Sequence, residues 1–235
     1  MHKKTKKLKL NFSMIRMISD KIRNLFGKHK KVILKNSEKK ILTSLNLILK
    51  NKKSPNQQPY HYILTEMNEI NHYKNILDFG SGFLDNSIRL SKTKSINKIY
   101  CYDPIYKNKK IKSKVNLIIK KHKKLTIVNN FKSNLKMVNL VFSNLVFSHL
   151  SPNDLKDLLK IIYNNNCDLI FAANSLIDQS EGKKLFEFKK SSGLYQHNYR
   201  KMLTLNKFNI KWLYSLESCV DKSKKIILCF ATKEN

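Results

Sequence analysis

Acidic residues are scarce in this chain. Sixteen Asp and Glu stand against 47 Lys and Arg, giving a net charge of +31 and a pI near 10.0. A field this positive attracts polyanions without regard to their sequence. Arginine is scarce too: only Arg16, Arg23, Arg89 and Arg200 occur, so 43 of the basic residues are lysine. An AT-rich coding sequence accounts for the lysine, asparagine and isoleucine, but not for the shortage of glutamate, which such a code also favours. No uninterrupted apolar run approaches membrane-spanning length, so no transmembrane segment is expected. The lysine-rich N-terminus lacks an apolar core and a small-residue cleavage site, which argues against a secretory signal and leaves an organellar transit peptide open. Cys101, Cys167, Cys219 and Cys229 show no Cys-x-x-Cys spacing. They read as buried free thiols in a reducing, cytoplasmic setting, and no metal site is expected.

What remains is globular. The chain has 235 residues, 41% of them hydrophobic, enough for one α/β domain with a helical extension. Residues 1–59 form the expected extension, with seventeen Lys and Arg against Asp20 and Glu38. Met1 to Leu10 reads as a disordered arm. Phe12 to Phe26 is an amphipathic helix with Ile15, Ile18, Ile22, Leu25 and Phe26 on one face. Ser37 caps a second helix striped by Ile41, Leu42, Leu45, Ile48 and Leu49, and a Pro-containing loop over Lys50 to Pro59 closes the extension. Residues 60–235 form the second expected domain.

Glycine is rare enough, at five, that a close pair stands out. In Asn75-Ile76-Leu77-Asp78-Phe79-Gly80-Ser81-Gly82-Phe83-Leu84-Asp85 a buried strand runs into Gly80 and Gly82, and a helix starts by Ser87. Glycines there permit a tight turn and bring backbone N–H groups close to a ligand. A second strand, Lys98 to Tyr102, ends in Asp103, 23 residues beyond Gly80. That is the spacing at which an acid on the second strand meets ribose hydroxyls. Beyond it, strands are expected at 125–128, 137–142 and 168–173, with helices at 104–119 and 152–163 between them. Helix is expected over Tyr60 to Ile70, Leu185 to Phe188 and Tyr195 to Leu205, and a closing antiparallel hairpin over 209–216 and 225–231. The fold class is α/β, a seven-stranded doubly wound sheet.

The glycine stretch resembles the class I S-adenosylmethionine (SAM) dependent methyltransferases, whose first motif is a strand, an acid, then x-Gly-x-Gly-x-Gly and a helix. Asp78, Gly80 and Gly82 match, and Leu84 replaces the third glycine. A dinucleotide dehydrogenase would need glycine at Asp85, and Asp78-Phe79-Gly80 matches a kinase triplet only by chance. The resemblance covers Tyr60 to Lys233 and implies SAM as cofactor and a last strand inserted antiparallel. It assigns Gly80 and Gly82 to the amino-acid and ribose portions and Asp78 to loop orientation. Asp103 falls to the ribose diol, Ile105 to the adenine face, and Asn130 with Phe131 to the adenine edge, Asn129 being an equal choice. Ser143 and Asn144, in a family-like run ending His149-Leu150, would flank the methionine portion. His149 is a candidate base or a helix cap, and Tyr60, His61 and Tyr62 lie where a helix covers the pocket in such enzymes. Methyl transfer needs little acid–base help, so no catalytic triad is required.

From Pro104 to Asn153 there is no acid and there are eleven lysines. A positive rim suits a phosphate backbone, with Tyr106 and Phe131 adding contacts, so RNA is the leading expected acceptor. The motif segments also resemble, faintly, the ribosomal RNA methyltransferases of aminoglycoside resistance. A small-molecule methyltransferase is the alternative, favoured by the Ser143 to Leu150 run. A non-catalytic RNA-binding protein on the same fold is the third.

Overall fold

The computed structural model describes residues 41–50, 63–180, 184–189, 192–217 and 225–233. The chain divides into two compact units, Met1–Lys40 and Ile41–Asn235. The expected basic arm, the 12–26 helix, the 50–59 loop beyond Lys50, Tyr60, His61, Tyr62 and Cys219 lie outside the described residues. Residues 41–49, expected in the extension, are helical (α1) and belong to the second unit. Leu45 of α1 is buried in one core with Leu64, Ile70 and Ile76.

A seven-stranded sheet runs in the order β3-β2-β1-β4-β5-β9-β8. Its strands are β1 (Asn75–Phe79), β2 (Lys98–Tyr102), β3 (Leu125–Ile127), β4 (Leu140–Asn144), β5 (Asp168–Asn174), β8 (Phe208–Glu217) and β9 (Lys225–Lys233). The first five are parallel, and β9 lies antiparallel between β5 and β8, as expected. The parallel strands are almost continuously apolar because both faces are covered. Side chains alternate between two cores: Ile76, Ile99, Leu140 and Ile170 point to one face, Leu77, Phe79, Val141 and Leu169 to the other. The first face meets α1, α2 (Asp85–Leu90) and α3 (Lys109–Lys121), the last through Ile111, Val115 and Ile118. The second meets α5 (Pro152–Asn164) through Leu155, Leu158, Leu159 and Ile162. Short α4 (Phe131–Asn134) follows β3, and α6 (Tyr199–Leu205) precedes β8. Cys101, Cys167 and Cys229 are buried free thiols, as read from their apolar surroundings.

Three expectations need correction. Leu185 to Phe188 is not helical: Leu185 lies in a bend and Phe186 to Phe188 belong to β6 (Phe186–Lys189), while Tyr195 to His197 belongs to β7 (Leu194–His197), the helix beginning only at Tyr199. β6 and β7 pair as a separate antiparallel hairpin, helped by the Phe188–Tyr195 ring contact at 4.9 Å and by Gly193 at φ 66°. Second, the fourth strand starts at Leu140, because Leu135–Met137 turns as a 3₁₀ helix to bury Leu135. Third, of the described residues within Tyr60 to Ile70, 63–65 are helical, followed by a 3₁₀ turn at Asn68–His72. Leu64 and Ile70 both enter the core. Six residues apart on an unbroken helix, they would point about 120° from each other.

Among the described residues no helix is long and apolar enough to cross a membrane. The chain steps outward from β1 to β3, then returns to β4 on the other side of β1. That reversal opens the ligand-binding crevice of doubly wound sheets at the carboxyl ends of β1 and β4.

Candidate cofactor and acceptor site

The turn after β1 is fastened to the end of β2. The Tyr102 carbonyl accepts from Gly80 N at 2.7 Å and Ser81 N at 3.1 Å. Gly80 and Gly82 take φ +80° and +47°, in the region that favours glycine. They serve different ends. A Cβ on Gly80 would lie 2.1 Å from Val146 Cγ2, so this glycine admits the Val146 side chain. A Cβ on Gly82 would meet nothing closer than the Gly80 carbonyl at 3.9 Å, which leaves that face open.

Leu84, in place of the third motif glycine, also adopts a left-handed backbone at φ 69° and sits at the N-cap of α2. A non-glycine residue there costs roughly 1–2 kcal/mol. Its side chain is fully buried in the core, and burying a leucine contributes roughly 1.5–3 kcal/mol. The departure from the motif therefore exchanges backbone ease for packing and leaves the helix start intact.

Asp103 closes the other side of the crevice. Its carboxylate accepts from Gly82 N at 3.0 Å and from Ile105 N at 2.9 Å. Burial raises its pKa, and the Ile105 and Gly82 N–H groups oppose that rise. Tyr106, one turn on, donates its hydroxyl to the Gly82 carbonyl at 2.8 Å and lies 2.8 Å from Ser81 Oγ. Both backbone polar groups of Gly82 are thus held from the Asp103–Tyr106 turn. Tyr106 was expected among RNA contacts; it is 4% exposed and committed to this turn, so it does not reach a solvent-side ligand.

Asp78 is buried within β1, where one oxygen accepts from Ser87 Oγ and Oδ1 has no partner. Burial pushes its pKa up to about 7; the Ser87 hydrogen bond opposes this and the Asp103 charge adds to it. Ser143 Oγ donates to the Phe79 carbonyl at 3.1 Å, tying the ends of β4 and β1. Asn144, next along, is half-buried with Oδ1 unpartnered, and Leu145 takes φ 60° just after it. Ile105 is half-buried beside the turn. Asn130 is exposed, and its carbonyl oxygen accepts from Lys132 N at the start of α4. Phe131 packs at 5.1 Å from both Phe79 and Tyr102. His149 is exposed on a 3₁₀ turn, and the cap of α5 is Ser151. The structure therefore brings Gly80, Gly82, Asp103, Ile105, Ser143 and Asn144 to the ends of adjacent strands.

No motif or spacing marks Gln196, His197 and Asn198, which run consecutively and are 6%, 0% and 0% exposed. Gln196 Oε1 accepts from Leu176 N at 2.7 Å, and Asn198 Nδ2 donates to the Ser180 carbonyl at 2.7 Å, so both fasten the segment after β5.

No protein-family model and no curated protein matches the chain. Solved structures do. One is 1,6-didemethyltoxoflavin-N1-methyltransferase of Burkholderia thailandensis, bound to 1,6-didemethyltoxoflavin and S-adenosylhomocysteine. It has TM-score 0.58 and 10% identity, over 88% of this chain and 90% of that one. Another is an O-methyltransferase family protein of the same organism, with TM-score 0.55 and 9% identity over 75% of this chain and 56% of that one. Human N-acetylserotonin methyltransferase in complex with SAM gives TM-score 0.52 and 15% identity, over 74% of this chain and 51% of that one. The match spans little more than half the length of the last two proteins. At these identities the likeness defines the fold, and the chain has the fold of the class I SAM-dependent methyltransferases.

Proposed function

We propose that this protein is a SAM-dependent methyltransferase acting on a small molecule. The observation that carries the cofactor assignment is the 3.0 Å bond between Gly82 N and Asp103, which joins the glycine turn to the ribose-binding acid. The residues fit the cofactor. Gly82 keeps an open face, and Asp103 spends one lone pair of each oxygen on the backbone and retains the other for a diol. Asn144 Oδ1, buried and unpartnered at the end of β4, suits the ammonium of the methionine portion. SAM supplies an already activated methyl group; the chain's own work is to hold it in line with the acceptor and exclude water.

Tyr106 governs how firmly Gly82 is held. Tyr106→Phe removes its hydrogen bonds to Ser81 and the Gly82 carbonyl, so the dissociation constant for SAM should rise about 5- to 10-fold by calorimetry. An unchanged constant would mean that the turn holds itself.

The small-molecule assignment replaces RNA as the favoured acceptor for two reasons. Tyr106 is withdrawn into the turn, and the proteins of like fold named above include enzymes named for small acceptors, 1,6-didemethyltoxoflavin and N-acetylserotonin. Lys109, Lys110, Lys120 and Lys121 on α3 are exposed and keep RNA as the competing acceptor. Tritiated methyl transfer into a metabolite extract and into total RNA, run side by side, separates them. Label is expected in the extract; label confined to RNA would overturn the acceptor assignment.

A further inference from the structure

Beyond β4 the interior holds polar atoms that the fold itself does not satisfy. Among the described residues, the buried side-chain atoms without a hydrogen-bond partner include Ser148 Oγ, His197 Nδ1 and Tyr199 OH. Their residues are 0%, 0% and 1% exposed. Each such atom costs roughly 1–3 kcal/mol unless something pairs with it.

The three residues lie in one contact network. His197 Nε2 is 3.1 Å from the carbonyl of Leu150, two residues past Ser148. The His197 ring meets Tyr199 at 5.6 Å and stacks on Tyr195 at 5.9 Å, and Tyr199 meets Phe171 at 5.2 Å. Phe171 in turn meets Phe147 at 4.9 Å, beside Ser148. Ser175 Oγ donates to the His197 carbonyl at 2.8 Å, fastening this backbone to the end of β5.

The tautomer follows from these bonds. A carbonyl only accepts, so the Leu150 contact places the proton on Nε2. In a neutral imidazole Nδ1 then keeps its lone pair. Burial lowers the pKa of His197, against the pull of the Leu150 and Phe147 carbonyls, and favours that neutral form. One buried acceptor nitrogen and two buried hydroxyls thus belong to residues joined to one aromatic cluster.

We propose that His197 Nδ1, Ser148 Oγ and Tyr199 OH form the acceptor subsite, and that its ligand is a planar, apolar molecule carrying an O–H or N–H donor. This rests on the methyltransferase assignment above and names the acceptor's chemistry. Nδ1 accepts the hydrogen bond of the group to be methylated, and the hydroxyls pair with a second polar atom. The methylated product has lost that donor, so it binds the same place less well. The β6–β7 hairpin that carries His197 pairs with no strand of the main sheet and is held to the end of β5 through Ser175 and Gln196.

The test uses full-length protein labelled with ¹⁵N-histidine and saturated with S-adenosylhomocysteine. Phenol and anisole serve as probes, alike in shape but differing in the donor. Phenol should move the His197 Nδ1 resonance in a saturable way, and anisole should leave it in place. His197→Gln identifies the signal; should that variant not fold, coupling across the Nε2–H bond to a ¹³C-labelled Leu150 carbonyl does so. Ser148→Ala should weaken phenol about 5- to 10-fold. No shift with phenol, or an equal shift with anisole, would overturn the subsite and leave buried water as the partner of these atoms. Calorimetry with S-adenosylhomocysteine alone keeps the two assignments apart. Binding without a phenol shift sinks only the subsite, while a phenol shift without cofactor binding sinks the methyltransferase assignment and with it the acceptor role, leaving a ligand site of another function.

Discussion

Gly80→Ala should destabilise the protein by about 3 kcal/mol or more and abolish SAM binding under conditions where the wild type binds. Two effects add. At φ +80° an alanine carries a left-handed penalty of roughly 1–2 kcal/mol. Its Cβ would also sit 2.1 Å from Val146 Cγ2, and rotating Val146 offers no escape, because Cγ1 and Cβ stand at 3.0 and 3.1 Å. The turn itself must shift, and with it the Gly80 and Ser81 N–H bonds to Tyr102 and the Gly82 bond to Asp103. The steric part is separable. In a Val146→Ala background both γ-carbons are gone and only the β-carbon, at 3.1 Å, still crowds the site, so Gly80→Ala should cost its backbone strain and a small residual contact, a coupling of roughly 1–3 kcal/mol in a double-mutant cycle. Thermal or urea unfolding of the four proteins measures it. Additive effects would mean that Val146 does not fill the space over Gly80.

Asp78→Asn should raise stability at pH 8 and leave it nearly unchanged at pH 4. The folded-state pKa of Asp78 is about 7 against an ordinary 3.8. Between those values the folded protein binds a proton that the unfolded chain has released, so stability falls as pH rises from about 4 to about 7 and stays low above that. Asparagine mimics the protonated acid, keeps a carbonyl for the Ser87 hydroxyl, and has no charge to desolvate. At about 1.4 kcal/mol per pKa unit the gain at pH 8 is at most on the order of 4 kcal/mol. Melting temperatures of both proteins across this range test it. A variant equally destabilised at every pH would show that the ionised carboxylate supports the fold.

The sheet was legible because its signals are local and repeated. Ile76-Leu77, Ile99 to Tyr102 and Leu169 to Ala173 are short apolar runs between turn residues, and the leucine spacing of α5 admits only a helix. The glycine turn and Asp103 were legible from spacing alone. What was missed depended on contacts distant in sequence. Phe186 and Phe188 alternate as a strand does, but four residues beside a Leu give no period long enough to tell strand from helix. The break after residue 65 answers to two core positions that no straight helix serves together. Tyr106 looked like an exposed aromatic in a lysine-rich run, and only the fold turns it back onto Gly82. His149 drew attention through its family-like run, whereas His197, buried 47 residues from Leu150, carries no mark in the sequence.

Titration calorimetry of SAM into the wild type and into Asp103→Ala tests the central claim most directly, since ribose recognition at the meeting of the two strand ends underlies every other assignment. Wild-type protein should bind at micromolar concentrations, and the variant, still folded by circular dichroism, should lose at least 10-fold in affinity, about 1.4 kcal/mol. A folded wild type that gives no heat of binding, or a variant that binds as well as the wild type, would contradict it.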